Sequence, residues 1–523
     1  MVPGRFWDRL AAAGLVAALV LVIVTFRQYG ITWDEEWQAT YGRKILDWYM
    51  SGFADDSVFS YQNLYFYGGA FDLAATLLDR ISPLGTYETR HLLGGMIGVL
   101  GLVGAWRLGR RLGGPRAGFL AGLLLFLVPG YWGHVFFNPK DPPFAVAMIW
   151  SLIWAVRIVD ALPRPSLATT VAFGLVWGLA LGSRIGAVLI APYLGLVCLV
   201  WFVAAIRREG AAAALADSGR VLLVLLPGLV AAWCTMALVW PWAAQAPLNP
   251  LRALDTFAHF SWGGQVLSFG RQLAATELPW WYLPGQLLVQ LPEVVLLGLA
   301  ALPVVVAGLL RRAPYALGLV LLAAFFPILY FVLMTPPAYH GYRHFLFVVP
   351  PLAVLAGLGL DGTVAWLAAR SRLAARAALV TLAGATALQA SVMARLFPDE
   401  YIYFNSLVGG VAGAEGRFNL DYWGASLREA ALSLDALAER DPEKPAGPRR
   451  VLVCGYPLSA TYWLSPEFTA TDTDSDAEFY VSFTESGCDR AIPGDVVATI
   501  SRMGVPLAVV KDRRRLVAAA PPR

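Results

Sequence analysis

The sequence predicts an α-helical polytopic membrane protein with about eleven transmembrane helices and a small C-terminal outer α/β domain. Three observations predict it. Of 523 residues, 58% are hydrophobic and 15% charged, against about 45–50% apolar and about 25% charged in soluble globular chains. The apolar residues gather in runs near the 17–25 residues that cross a bilayer as a helix. After residue 396 the polarity becomes ordinary and turn signals separate short β-rich runs, so the chain divides into a membrane domain, 1–396, and an outer domain, 397–523, of common size.

The runs are 10–26, 91–106, 117–132, 142–159, 168–182, 185–206, 221–242, 287–310, 317–334, 345–367 and 374–394. Residues 1–9 are short and basic, but no small-residue cleavage site follows the first run, so it reads as an uncleaved span. Arginine crowds alternate loops: Arg107, Arg110, Arg111 and Arg116; Arg157 and Arg164; Arg207, Arg208 and Arg220; Arg311 and Arg312; Arg370, Arg372 and Arg376. Such loops stay in the cytoplasm. The N-terminus is then inside, and the loops 28–90, 133–141, 243–286 and 335–344 face out with the C-terminal domain. The net charge of +4 includes no basic arm suited to nucleic acid.

The loop 28–90 is too long for a plain connector and too aromatic for disorder. Trp37, Tyr41, Ile45, Trp48 and Tyr49 recur at helical spacing, as in an amphipathic helix lying on a membrane; 65–81 reads as a second. In the outer domain 425–439 reads as a helix, and 451–454, 478–483, 496–500 and 507–510 as strands, with Pro506 suited to starting the last. Cys198 and Cys234 lie in spans and read as small buried hydrophobes. Cys454 and Cys488 either pair, given an oxidising compartment, or stay as two free thiols. No CxxC spacing points to zinc.

Three clusters can carry chemistry. Asp34, Glu35 and Glu36 stand between Trp33 and Trp37 just beyond the first span. Carboxylates there are costly unless they meet water or line a cavity, so they form either a base and ligand site or a solvated charge cluster. His134, Asn138, Lys140 and Asp141 precede the fourth span, where Asp141 before Pro142 and Pro143 also suits a helix start. Tyr339, His340, Tyr342, Arg343 and His344 precede the tenth. An arginine there can snorkel, but its donor fork beside tyrosines and histidines favours a phosphate. Arg184, Arg252, Arg271, Arg43 and Lys44 are weaker candidates of that kind. The Gly-rich stretch 109–114 lacks the context of a nucleotide cradle.

The order of these pieces resembles a family. Trp33-Asp34-Glu35 after a first span, RHLLGGMIGVLGLVGAWRLGRRLGG, Asn138-Pro139-Lys140-Asp141-Pro142, GLALGSRIGAVLIAP, YRHFLFVVPPLAVLAGLGL, YFNSLVGGVAG and DYWGASLREA together resemble the polyprenyl-phosphate-sugar-dependent membrane glycosyltransferases with the GT-C fold. These are of the protein O-mannosyltransferase and aminoarabinose-transferase type, bacterial glycosyltransferase family 39. The likeness spreads over 30–430. It implies Asp34 as base, Asp141 as a second acid near the donor phosphate, and Arg343 and Lys140 on that phosphate; Arg184, His134 and Tyr342, singled out from the residues alone, are further candidates to bind it. Glu35 competes with Asp34 for the catalytic role. Adjacent side chains on a helix diverge by about 100°, so one of the two is expected to be structural.

The implied reaction moves a sugar from a polyprenyl-phosphate donor to a hydroxyl of an envelope glycolipid, polysaccharide or protein, with inversion, at the outer face of a bacterial inner (plasma) membrane. The partners are the donor, the acceptor and membrane lipids. No cofactor is obligatory and nothing indicates a divalent cation. The rivals are a lipid or solute transporter, a ligase of whole lipid-linked oligosaccharides, and a sensor without chemistry. A transporter is expected to show charges at mid-membrane and paired inverted repeats; here the charges crowd at the outer face.

Overall fold

The structure is a computed structural model and describes residues 4–259, 262–441 and 447–518. The helices that position the site are α1 (Gly4–Thr25), α2 (Trp33–Met50), α3 (Ala70–Asp79), α4 (Thr86–Gly113), α5 (Pro115–Phe126), α6 (Pro129–Phe137), α7 (Asp141–Asp160), α8 (Leu167–Leu181), α9 (Ile190–Glu209) and α10 (Ala211–Val239). Among the described residues eight helices are long and apolar enough to cross a membrane, or up to ten if each of two bent pairs is one span. The chain is a multi-pass membrane protein.

Two runs that read as continuous spans are broken. The third is α5 and α6, bent by 62°, with Pro129 opening α6; the eighth, 287–310, falls on the end of Tyr282–Gln290, on Glu293–Ala301 and on Pro303–Arg312, the first two bent by 112° around Pro292. Proline lacks the N–H a helix interior needs and disfavours helical geometry at the residue before it. The fifth run, α8, is a helix of 15 residues.

The loop 28–90 folds into a cap packed on the helices. α2 buries Gln38, Tyr41, Gly42 and Ile45 and packs against α3. A Cβ on Gly42 would collide with Thr76 and with the Asp72 carbonyl, so only glycine lets the two helices approach this closely. Tyr41, Ile45, Val58 and Leu64 make a small core of their own, and Arg90 on α4 pairs with Asp72 on α3. The second expected helix starts only at Ala70, after a single turn at Leu64–Phe66.

A hairpin, β1 (Gln265–Ser268) and β2 (Arg271–Ala274), stands in the loop 243–286. The outer domain is a five-stranded sheet of β3 (Arg449–Cys454), β4 (Phe468–Ala470), β5 (Phe479–Phe483), β6 (Asp495–Arg502) and β7 (Val505–Asp512), in the order β4-β3-β5-β7-β6. Strand β3 runs parallel to β4 and β5, and β7 antiparallel to β5 and β6. Helix Leu427–Arg440 packs on the sheet and buries Leu427, Ala431 and Leu434. Pro506 does not start β7 but lies one residue inside it, opposite Ser501, beside an irregularity in the ladder at Ile500/Ser501; a bulge is where a sheet tolerates proline. Cys454 and Cys488 form a disulfide with Cα atoms 5.9 Å apart. Cys198 is half-buried, and Cys234 is exposed rather than buried. The domain docks on the cap: Tyr456 donates to Glu36, and Tyr462 donates to Glu88 at 3.1 Å.

Candidate active site

Helix α2 begins with a capping box. The Thr32 N–H donates to Glu35 Oε2 at 2.9 Å, and the Thr32 hydroxyl donates to the Phe137 carbonyl at 3.0 Å, which fixes the start of α2 to the end of α6. Glu35 Oε1 pairs with His91 Nε2 on α4 at 2.9 Å. Glu35 is therefore built into the scaffold, away from its neighbour's partners. Asp34, on the first turn where the helix dipole favours a carboxylate, points to another set of groups: Lys140 Nζ at 3.1 Å and Arg343 Nη1 at 3.9 Å.

Asp141 does not cap α7. Asn138 Oδ1 accepts from the backbone N–H groups of Lys140 at 3.1 Å and Asp141 at 3.0 Å, while Asn138 Nδ2 donates to Asp141 Oδ2 at 2.8 Å. The amides at the helix start are satisfied by the asparagine, which leaves the Asp141 carboxylate to cations. It meets Arg184 Nη1 at 2.8 Å and Arg343 Nη1 at 3.5 Å. Asp141 is 1% exposed and Arg343 4%, so neither is a snorkelling surface charge.

Rings hold the cations from the other side. The Arg343 guanidinium lies 4.8 Å from the Tyr339 ring centre and 4.7 Å from that of Trp423. Lys140 and Arg184 lie 5.2 and 5.7 Å from the Tyr67 ring. Cation–π contacts of this kind gain strength when water is excluded. Burial alone would raise the Asp34 carboxyl, but Lys140 and Arg343 beside it hold it below the usual carboxylate range. Burial would lower Lys140, but Asp34 and Tyr67 hold it above the usual range. His340 is pushed down by burial and by Arg343, which leaves it a neutral ring stacked on Tyr422 at 4.3 Å.

His134 and Tyr342 stand behind Arg343 and do not touch Asp34. His134 meets Asn138 Nδ2 through Nδ1 at 3.2 Å and the Tyr422 hydroxyl through Nε2 at 3.1 Å. Both residues line a small cavity with His340, Arg343 and Tyr422. Of the weaker candidates Arg184 joins the site, on Asp141; the other four lie elsewhere: Arg43 on Thr40, Lys44 on Ser57, Arg252 on Asn249, and Arg271 exposed on the hairpin. Sequence reasoning gave no role to Tyr67, Tyr422 or Trp423. The last two lie in DYWGASLREA, where an aromatic pair beyond the last span was the signal available. Among the described residues no group of three His, Cys, Asp or Glu is set to hold a metal ion.

Three cations, Lys140, Arg184 and Arg343, thus surround two carboxylates, Asp34 and Asp141. Such an arrangement can bind an anion and keep a carboxylate beside it.

No family model matches the sequence, and no curated protein matches it. Solved structures to which the chain is similar include ArnT from Cupriavidus metallidurans in the apo state, at 17% identity and TM-score 0.47, over 98% of this chain and 100% of that one. The same protein bound to undecaprenyl phosphate matches at 16% identity and TM-score 0.45, over 100% of each chain. The archaeal oligosaccharyltransferase AglB from Archaeoglobus fulgidus, in complex with an inhibitory peptide and a dolichol-phosphate, matches at 13% identity and TM-score 0.47, over 90% of this chain and 69% of that one.

Proposed function

We propose that this chain is an inverting glycosyltransferase that moves a sugar from a polyprenyl-phosphate donor to a hydroxyl of an envelope acceptor at the outer face of the membrane. The observation that carries the reading is the excess of cations around Asp34 and Asp141: three positive groups on two carboxylates, with Asp141 and Arg343 buried and Asp34, Lys140 and Arg184 partly exposed beside them. A phosphate arriving there completes the charge balance, as arginine forks match its oxygens. The family resemblance of the sequence names the same donor.

The chemistry follows from the side chains. The acceptor oxygen attacks the anomeric carbon while the Asp34 carboxylate takes the hydroxyl proton. The bond from that carbon to the phosphate oxygen breaks, and its electron pair leaves with the polyprenyl phosphate. Arg343, Lys140 and Arg184 stabilise the developing charge. A phosphate leaves without protonation, so the second carboxylate that glycosidases use as an acid is not required. One displacement inverts the carbon. Phosphate binding also draws Lys140 and Arg343 off Asp34, which frees the lone pair that takes the proton.

The test is transfer by the purified protein from defined polyprenyl-phosphate sugars to extracted envelope acceptors. The expected result is free polyprenyl phosphate in step with glycosylated acceptor. Movement of intact donor across vesicles with no release of its lipid phosphate would make the chain a transporter instead.

A further inference from the structure

A second charged site lies at the far ends of the helices that build the first. Helices α4 and α7 start beside His91 and Asp141 and end at Gly113 and Asp160. At 1.5 Å per residue, α7 alone carries the chain about 30 Å, the thickness of a hydrocarbon core. Between these far ends and α1 is a groove of ≈ 540 Å³ lined by Asp8, Trp106, Arg107, Ile153, Arg157 and Asp160, among others. Both carboxylates are already taken. Asp8 accepts from Arg110 at 2.7 and 3.0 Å, and Asp160 from Arg111 at 2.9 Å. Arg107 and Arg157 are paired with no carboxylate among the described residues. They lie over Trp150 at 5.6 Å and Trp154 at 4.4 Å instead. The buried Trp106 indole N–H has no acceptor among the described residues.

We propose that this groove binds one anionic phospholipid, with its phosphate between Arg107 and Arg157 and an acyl chain along Ile153 and Val156. Charge decides the class. The groove carries two arginines without counter-charge and no free carboxylate to receive the ammonium of a zwitterionic headgroup, so a lipid of net negative charge fits and phosphatidylcholine does not. Unpaired arginines at the membrane surface attract anionic lipid in this way, the Trp106 N–H offers a donor to a headgroup oxygen, and the apolar wall distinguishes a lipid from free phosphate. None of this depends on the reaction proposed for the first site.

Native mass spectrometry of the purified full-length protein, equilibrated in detergent with equal phosphatidylglycerol and phosphatidylcholine, tests it. Wild type is expected to retain phosphatidylglycerol, and Arg107→Gln/Arg157→Gln to lose roughly tenfold in retention, about 1.4 kcal/mol. Arg107→Lys/Arg157→Lys keeps both charges and is expected to retain most of it, as is Arg207→Gln/Arg208→Gln, which removes a basic pair outside the groove. Equal retention of the two lipids by wild type, or undiminished phosphatidylglycerol on the glutamine double variant, overturns the proposal. So does displacement of the lipid by millimolar inorganic phosphate, which would make the groove a phosphate site.

Discussion

Asp34 and Glu35 share a peptide bond and little else. One faces Lys140 and Arg343, the other a helix cap and His91. Asp34→Asn keeps size and hydrogen bonding but removes the basic lone pair. Transfer is expected to fall roughly 10²–10⁴-fold while donor binding, measured by retention of labelled donor, survives. Glu35→Gln removes a charge from a buried pair, and its expected effect is a loss of about 1–3 kcal/mol of stability, read as a lower melting temperature with turnover per folded molecule preserved. Arg343→Ala is expected to weaken donor binding by a charge-assisted contact of about 1.5–3 kcal/mol. Arg343→Lys is expected to restore it only in part, because an ammonium neither forks across two oxygens nor stacks as a plane between Tyr339 and Trp423.

At the scale of elements, the position of Asp34 depends on a helix held by one glycine. Gly42→Ala is expected to push α2 off α3, cost about 1–3 kcal/mol as overpacking does, and lower turnover although the residue lies two turns from Asp34. A paired comparison of melting temperature and turnover number checks it. Much of this scale was legible in the sequence. The apolar runs identified the membrane helices because length and composition alone decide whether a helix can cross. The bends at Pro129 and Pro292 were not read, since an average over a run does not register one missing N–H. Asp141 was read as a cap candidate because Asp and Asn are equivalent there in pattern; only coordinates show Asn138 holding the amides. Tyr422 and Trp423 went without a role because their partners, His134 and Arg343, lie far away in the chain and no local pattern records such pairings.

At the scale of the molecule, the seam between membrane and outer domains is rich in buried acid. Asp399 pairs with Arg502 at 2.9 Å, Arg502 also pairs with Glu429, Tyr29 donates to Glu400 at 3.0 Å, and Asp421 accepts from Tyr401, Ser426 and the Ala425 amide. Burial pushes Glu400 up to about 7 and Asp421 up to about 6. The fold therefore holds protons that the unfolded chain has released. That stability is complete below the unfolded carboxyl values of about 4 and is lost as pH rises through 6 and 7. Burial raises Asp72 in the cap to about 6 as well, in the same direction. The apparent melting temperature is expected to drop between about pH 5 and pH 8, and Glu400→Gln to flatten that slope.

The order of the chain adds a consequence of a different kind. Asp34, Lys140, Asp141, Arg184 and Arg343 are all made before the last membrane helix, Arg372–Leu396, yet the ring that closes on Arg343 and the hydroxyl that meets His134 belong to Trp423 and Tyr422, which follow it. A nascent chain grows at about 5–20 residues per second. For some seconds it holds every membrane helix while Arg343 still lacks one of its two walls. The cluster is finished only when the segment beyond Leu396 has been synthesised, delivered to the same side of the membrane and folded back, so the timing of biogenesis sets when Arg343 gains its second wall. A chain stopped at Leu396 would hold every one of these membrane helices and lack Tyr422 and Trp423 at its centre.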